Sequence, residues 1–80
     1  HDLMHKDAEK RLAAWLLQRA DGETLLQLGE RKRDIAAQLA ITPETLSRMM
    51  RQLKLKGLIE VQGYAVSLLA PAALRQLAAD

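Results

Sequence analysis

Four side chains that could read a nucleic acid recur at helical spacing in this sequence. They are Glu44, Ser47, Arg48 and Arg51, spaced as i, i+3, i+4 and i+7, so a helix would place all four on one face. An arginine can bind guanine through O6 and N7, and a carboxylate can accept a hydrogen bond from cytosine N4. Glu44 and Arg48, one turn apart, are therefore suited to a single G·C pair or to two adjacent ones.

The same segment carries its apolar side chains on the opposite side. These residues are Leu46, Met49, Met50 and Leu53. One side of the helix therefore enters a core while the other meets solvent or a ligand. Thr42 suits the N-cap position and Pro43 the first helical turn. Gly57 suits the position just after the helix end, so we predict a helix over about 43–56.

Charge is divided unevenly along the chain. The overall net charge is +2, yet residues 30–57 hold seven basic and three acidic residues, and the remainder holds five basic and seven acidic ones. Such segregation is typical of a polyanion-binding face, although charge alone fits a solvated helix surface equally well. Lys54 and Lys56, near the end of the predicted helix, are placed for phosphates rather than bases.

Length and composition exclude several classes of protein. Eighty residues allow one domain, and the 49% apolar and 28% charged content is that of a globular chain. The sequence has no cysteine, which excludes disulfides, thiolate metal sites and cysteine nucleophiles. It shows no Ser-His-Asp set, glycine-rich phosphate loop or paired buried carboxylates, so we do not expect an enzyme.

The ends of the sequence carry two further expectations. His1 and His5 are four residues apart without a third ligand, so no metal site is expected there. The sequence starts at His1 rather than at methionine, so we expect it to be part of a longer chain. It has no apolar run of about 20 residues and no signal-peptide pattern. This predicts a soluble protein of a reducing compartment, without a membrane partner.

Six segments are predicted, with the candidate helix among them. The first helix covers about 3–20, with Trp15 on its apolar face, and a brief strand covers 24–28. Helices over about 32–40 and 43–56 are joined so tightly that they must cross sharply, as in a helix-turn-helix. Alternating residues predict a β-hairpin over 59–68 with Gln62 and Gly63 at its turn, and Pro71 opens a last helix over 72–79. The predicted fold class is α+β.

Three motifs resemble the DNA-binding domain of the Crp/Fnr superfamily of bacterial transcription regulators. They are Arg33-Asp34-Ile35-Ala36, Ile41-Thr42-Pro43-Glu44-Thr45-Leu46-Ser47-Arg48 and Gly57-Leu58-Ile59. The resemblance implies a winged helix-turn-helix with a three-helix core, a small antiparallel sheet forming the wing and a short C-terminal helix. It also implies a homodimer, with 1–6 as the remnant of the preceding dimerisation helix and 7–80 as the DNA-binding domain. The chain departs from the usual helix-turn-helix pattern at Ala40 and Ile41, where a glycine is common.

The resemblance also implies roles for individual residues. The order Glu-x-x-Ser-Arg is similar to the Fnr-like branch, which reads TTGAT-type half-sites, whereas Pro43 stands where the Crp-like branch has an arginine. Arg48 would then contact the guanine, Glu44 the paired cytosine or a neighbouring base, and Ser47 a thymine. The predicted contacts to the DNA backbone are Arg31, Lys32, Arg33, Thr45, Arg51, Lys54, Lys56 and Gly63.

The resemblance has implications beyond these 80 residues. The sensory domain of the family binds a cyclic nucleotide, haem or an iron–sulfur cluster, and no cofactor is expected on residues 1–80 themselves. Double-stranded DNA is the implied ligand and RNA polymerase an implied partner. The implied location is the bacterial cytoplasm, in association with the nucleoid.

Other interpretations of the same residues stay open. Acidic residues are favoured in a first helical turn by the macrodipole, which alone could explain Glu44. Winged helices also serve as protein-interaction modules that do not bind specific DNA. RNA binding would require exposed aromatic residues, and Tyr64 alone does not meet that requirement.

Overall fold

The computed structural model describes the backbone of residues 2–79 and the side chains of residues 7–79. The described elements are, in order, α1 (Asp2–Ala20), β1 (Leu25–Gln27), α2 (Lys32–Gln38), α3 (Pro43–Leu55), β2 (Ile59–Gln62), β3 (Ala65–Leu68) and α4 (Pro71–Ala79). This order confirms the predicted α+β winged helix-turn-helix. The helix α2 is shorter than the sequence pattern suggested, because Leu39 is its C-cap and Ala40 takes a positive φ. The strand β1 is also shorter, since Thr24 lies in a bend and Leu28 lies beyond the strand.

The start of the chain is a single helix as far as the backbone is described. Helix α1 includes Asp2 and runs without a break to Ala20. The side chains of residues 1–6 and the whole of His1 lie outside the described residues. The assignment of 1–6 to a dimerisation helix, with 7–80 as a separate domain, therefore stays a prediction, as does the absence of a metal at His1 and His5.

A hydrophobic core lies between the helices and the inner face of the sheet. Leu12 and Leu16 of α1 meet Leu46 and Leu53 of α3 there, each no more than 1% exposed. A wedge of apolar side chains fills the space between α2 and α3, as their sharp crossing requires. Its members Ile35, Leu39, Leu46 and Met49 are buried, and Ile41 packs half-buried against them. Trp15 packs half-buried against the same core, as predicted for its helix face.

The three strands form one antiparallel sheet in the order β1-β3-β2. Leu26 pairs with Val66, and Val66 pairs in turn with Val61, so the hairpin is extended by the earlier strand. The prediction that Gln62 lies in the turn is wrong, because Gln62 belongs to β2 and pairs with Ala65. The two-residue loop consists of Gly63 and Tyr64. The φ of Gly63 is +59° while that of Tyr64 is negative, the pattern of a type II′ turn that requires glycine first.

The turn between α2 and α3 is closed by backbone hydrogen bonds. The amide of Ile41 donates to the carbonyl of Ala36 at 2.9 Å, and that of Ala40 donates to Ala37 at 3.1 Å. These two bonds form a Schellman motif, whose left-handed residue is usually glycine. Here that residue is Ala40, with a φ of +58°. The missing glycine does not change the geometry of the turn, and the left-handed alanine carries its strain instead.

The bounds of α3 follow from its caps. The hydroxyl oxygen of Thr42 accepts a hydrogen bond from the amide of Thr45 at 3.1 Å, and Pro43 occupies the first helical position. At the other end Gly57 takes a φ of +75°, and the amide of Leu58 donates to the carbonyl of Leu53 at 2.9 Å. The prediction from sequence is confirmed to within one residue, because Lys56 is the cap rather than the last helical residue.

Candidate nucleic-acid interface

The exposed face of α3 presents the four side chains singled out by their spacing. Glu44, Ser47, Arg48 and Arg51 are all exposed, while Leu46 on the opposite side is 1% exposed. Among the side-chain hydrogen bonds and ion pairs of residues 7–79, none involves these four. A carboxylate, a hydroxyl and two guanidinium groups are therefore available to an external ligand.

Three cations and a hydroxyl converge beside α3. Lys32 at the start of α2 shares the lining of a surface cavity of about 370 Å³ with Ser47, Arg51 and Lys54 of α3. Met50 of α3 and Val61 of the wing complete the same lining. Ser47, predicted to contact a thymine, thus lies between the base-reading face and three predicted phosphate contacts. The arrangement suits a strand of nucleic acid whose phosphates pass between α3 and the wing.

The first turn of α2 is unusually basic for a helix N-terminus. Arg31 is the N-cap residue but its side chain makes no capping hydrogen bond, and Lys32 and Arg33 follow it in the first turn. All three side chains are exposed. Cations at this end oppose the helix macrodipole, with Asp34 as the acidic residue of the turn. An anionic partner would offset this repulsion, which favours the predicted contacts to a phosphate backbone.

Two predicted backbone contacts already have partners in the fold. The ammonium group of Lys56 lies 2.8 Å from Oε2 of Glu9 in α1. The Thr45 side chain is half-buried, and its hydroxyl oxygen lies 2.9 Å from the hydroxyl of Thr42. Both residues remain predicted phosphate contacts, but each would have to share or exchange a partner on binding.

The wing places beside Gly63 an exposed residue that was not among the predicted DNA contacts. Gly63, a predicted backbone contact, is at the tip of the hairpin, and Tyr64 beside it is 64% exposed. Gly63, Tyr64 and Lys32 line one small, largely apolar cavity of about 50 Å³, so the wing tip lies close to the start of α2. The two-residue loop, once recognised, would have pointed to Tyr64.

Glu30, at the edge of the basic segment, forms an ion pair with a residue outside that segment. Hydrogen bonds from Arg19 and then from Gln38 lower the pKa of the Glu30 carboxyl to about 2. Arg19 and Glu30 form a two-pronged ion pair, and the same contact raises the pKa of Arg19. Glu30 therefore stays ionised, and the positive charge of Arg19 balances its negative charge. The nearby basic residues then dominate the electrostatic field of this surface.

The described residues also bear on metal binding and on membrane insertion. Among the side chains of residues 7–79, no group of three or more histidine, cysteine or acidic residues could hold a metal ion. Of the helices that the structure describes, none combines the length and apolar character needed to cross a membrane.

The fold and this surface together define a winged helix-turn-helix domain with an exposed basic face. Residues 10–77 match the family model described as the Crp-like helix-turn-helix domain. The chain therefore belongs to this family, as the motifs predicted, and it is a winged helix-turn-helix of the Crp/Fnr type. The family is one of bacterial transcription regulators rather than enzymes.

Solved structures agree with this assignment. The CO-dependent transcription factor CooA of Carboxydothermus hydrogenoformans, in its imidazole-bound form, is 30% identical, with a TM-score of 0.83 over 95% of this chain and 38% of its own. DNR of Pseudomonas aeruginosa is 30% identical, with a TM-score of 0.82 over 95% of this chain and 35% of its own. The Catabolite Activator Protein of Thermus thermophilus is 28% identical, with a TM-score of 0.81 over 95% of this chain and 36% of its own.

The chain thus spans less than two-fifths of the length of these relatives. Among curated proteins, none is similar enough to the sequence to count as a match.

Proposed function

We propose that this chain binds duplex DNA in a sequence-specific manner, with α3 in the major groove of a TTGAT-like half-site. The observation that carries the proposal is the exposed set on α3. Glu44, Ser47 and Arg48 lie on the side opposite the buried Leu46 and Leu53, so a groove can approach them without disturbing the core. A helix of 13 residues is about 20 Å long, and the major groove admits such a helix.

The proposed division of labour follows chemical type and position. Arg48 reads the guanine through two parallel hydrogen bonds, Glu44 accepts from the cytosine or a neighbouring base, and Ser47 contacts a thymine. The backbone contacts remain those of the sequence prediction. They are Arg31, Lys32, Arg33, Thr45, Arg51, Lys54, Lys56 and Gly63. The cavity that gathers Lys32, Arg51 and Lys54 supports a shared role for these three cations on adjacent phosphates.

We also propose that the domain acts as one of two identical heads. The described chain measures 31 × 26 × 21 Å, and half-sites read by paired heads lie about 34–36 Å apart along DNA. Two copies therefore fit side by side on successive turns. This arrangement suits a whole protein that is a dimeric bacterial transcription regulator. We propose that this protein is cytoplasmic, associates with the nucleoid and has RNA polymerase as a partner. Its sensory domain would bind a cyclic nucleotide, haem or an iron–sulfur cluster.

The alternative is a winged-helix module that binds a protein and not DNA. The large exposed apolar side chains of the described residues are Leu25, Leu55, Tyr64 and Leu69. One of them, Leu55, belongs to α3, where it is the last residue. The face of α3 used in the proposal is polar and charged along the rest of its length, which favours DNA.

A titration distinguishes the two functions. The chain is added to a TTGAT duplex and to a duplex with the guanine pair replaced, at several salt concentrations, and binding is followed by fluorescence anisotropy of the DNA. DNA binding predicts an affinity that falls steeply with salt and a preference for the TTGAT duplex. The absence of binding to either duplex at low salt would contradict the proposal and favour the protein-interaction module.

A further inference from the structure

A carboxylate just before α2 is held by hydrogen bonds from two different helices. Arg19 of α1 donates to Oε1 of Glu30 at 2.7 Å and also to Oε2. Gln38, the last residue of α2, donates to Oε2 at 2.9 Å. The Glu30 side chain is 27% exposed. Glu30 therefore joins α1 to both ends of the short helix α2, although it is a loop residue.

Trp15 extends this cluster on α1. Its indole Nε1–H donates to Oε1 of Gln38 at 3.1 Å, and the guanidinium carbon of Arg19 lies 4.7 Å from the centre of its ring. The donors of Trp15, Gln38 and Arg19 thus form a continuous chain that ends on the two oxygens of Glu30. We name these four residues the Glu30 cluster, and none of them belongs to the proposed set of DNA contacts.

The cluster is adjacent to the basic start of α2. Arg31 follows Glu30 directly, and its carbonyl accepts the first hydrogen bonds of α2, from Asp34 at 3.0 Å and Ile35 at 3.1 Å. No side chain caps this helix at Arg31, so the described side-chain hydrogen bonds nearest to its first turn are those of Glu30. Glu30 and Lys32 also line the same small cavity beneath the wing.

We infer that Glu30 is a positioning residue for DNA binding, which holds Arg31, Lys32 and Arg33 toward the phosphates through its bonds to Arg19 and Gln38. This inference rests on the proposed function. The direction of the change in DNA affinity tests it, because a carboxylate near a phosphate backbone repels that backbone. If Glu30 acted through its charge alone, its removal would raise the affinity for DNA. If Glu30 positions the cations, its removal lowers the affinity.

The first experiment measures the affinity of variants of this 80-residue chain for a TTGAT duplex at fixed low salt. Glu30→Gln is expected to weaken binding about three- to tenfold, the range typical of a network that couples to a site. Gln38→Met leaves the net charge unchanged and removes two bonds of the cluster, so it is expected to weaken binding by a smaller factor in the same direction. The matched control is Asp34→Asn, which removes an acidic charge from the same basic segment. Because no described ion pair holds Asp34, its affinity should stay equal or rise.

Two measurements on the DNA-free chain keep the inference separate from the proposed function. Hydrogen exchange at the amides of Asp34 and Ile35 should be faster in Glu30→Gln, because the first turn of α2 loosens. The fluorescence of Trp15, the single tryptophan, should shift while the thermal transition of the whole chain stays cooperative.

The outcomes are distinct. If the wild-type chain binds DNA and Glu30→Gln binds it equally or more tightly, the inference is overturned and the proposed function still stands. Unchanged exchange at Asp34 and Ile35 would also overturn it, whether or not the chain binds DNA. Weakened binding by both Glu30→Gln and Gln38→Met, without weakening by Asp34→Asn, would support it.

Discussion

The ammonium group of Lys56 lies 2.8 Å from a carboxylate oxygen of Glu9, across 47 positions of the sequence. The pair ties the C-terminal end of α3 to α1, and the Glu9 side chain is 13% exposed, against 47% for Lys56. Because the Lys56 side chain is exposed to solvent, we expect the pair to contribute modestly to stability, about 0–1 kcal/mol. The contact matters more for function, because a phosphate must compete with Glu9 for the Lys56 charge.

This competition predicts different effects for two lysines of the same helix end. Lys54 borders the cavity shared with Lys32 and Arg51, so Lys54→Ala should weaken binding to all duplexes alike and lower the salt slope by about one. Lys56→Ala should lower the slope by less, because the charge of Lys56 is partly satisfied within the fold. The measurement is the dependence of log affinity on log salt for both variants. Equal reductions would show that Lys56 leaves Glu9 for a phosphate, and a change in sequence preference alone would contradict the phosphate role of Lys54.

The left-handed alanine between α2 and α3 predicts a gain in stability. Ala40 has a φ of +58°, a conformation that costs a residue with a Cβ about 1–2 kcal/mol. Glycine avoids that strain but loses about 0.4–1 kcal/mol through the greater freedom of the unfolded chain. We therefore expect Ala40→Gly to raise the free energy of unfolding by about 0.5–1 kcal/mol, or the melting temperature by about 2–8 °C.

The matched control for this substitution is Ala37→Gly, within α2. Ala37 is exposed and helical, so glycine there should lower the free energy of unfolding by about 1 kcal/mol. Urea titrations of the three proteins give the comparison. If Ala40→Gly is as destabilising as Ala37→Gly, the positive φ of Ala40 is not a source of strain.

The wing tip predicts a loss of affinity without a loss of fold. Space is not limiting at Gly63, since a Cβ there would meet nothing within 4 Å, but its φ is +59°. Gly63→Val should therefore distort the turn and weaken DNA binding, while circular dichroism shows an intact helical core. Gly63→Asn is the control, because asparagine tolerates positive φ far better. Unchanged affinity in a folded Gly63→Val protein would show that the wing does not approach the DNA.

Acid should weaken the fold through Glu30. The pKa of this carboxyl is about 2 in the folded chain, against an ordinary value of 4.5. A lowered pKa stabilises the folded state at pH values above the ordinary one, and the stabilisation is lost as pH falls from about 4.5 toward 2. The free energy of unfolding should therefore fall more steeply in wild type than in Glu30→Gln between those limits. Above pH 5 the difference between the two proteins should be constant. A difference that changes between pH 5 and 8 would contradict the assigned cause.

The features that the sequence predicted are those set by nearby residues. Helix α3 has Thr42, Pro43 and Gly57 as end signals and a regular apolar spacing between them, so its bounds and its two faces could be read directly. The hairpin followed from alternation and from Gly63. Both depend on residues a few positions apart.

The features that it did not predict depend on distant partners. Glu30 looks like an ordinary acidic residue of a basic segment until the fold brings Arg19 and Gln38 to it. Lys56 likewise looks like a phosphate contact until Glu9 is placed beside it by α1. The pairing of β1 with β3 could not be read from a three-residue strand. In each case the deciding contact joins residues whose types, taken alone, are compatible with many partners.

The most direct test of the proposed DNA reading is the substitution Arg48→Ala, compared with Arg75→Ala. Both side chains are exposed and both changes remove one positive charge, but Arg75 belongs to α4 and borders a cavity whose lining includes no residue of α3. Each variant is titrated, in a dimeric form, with a TTGAT duplex and with a duplex in which the guanine is replaced, at one fixed salt concentration.

A bidentate arginine–guanine contact contributes about 1–3 kcal/mol of discrimination. Arg48→Ala should therefore lose most of the roughly ten- to hundredfold preference that such a contact provides. It should keep its sequence-independent binding, and Arg75→Ala should keep both. If Arg48→Ala weakens binding to the two duplexes equally, Arg48 contacts phosphate and the proposed reading of the base is wrong.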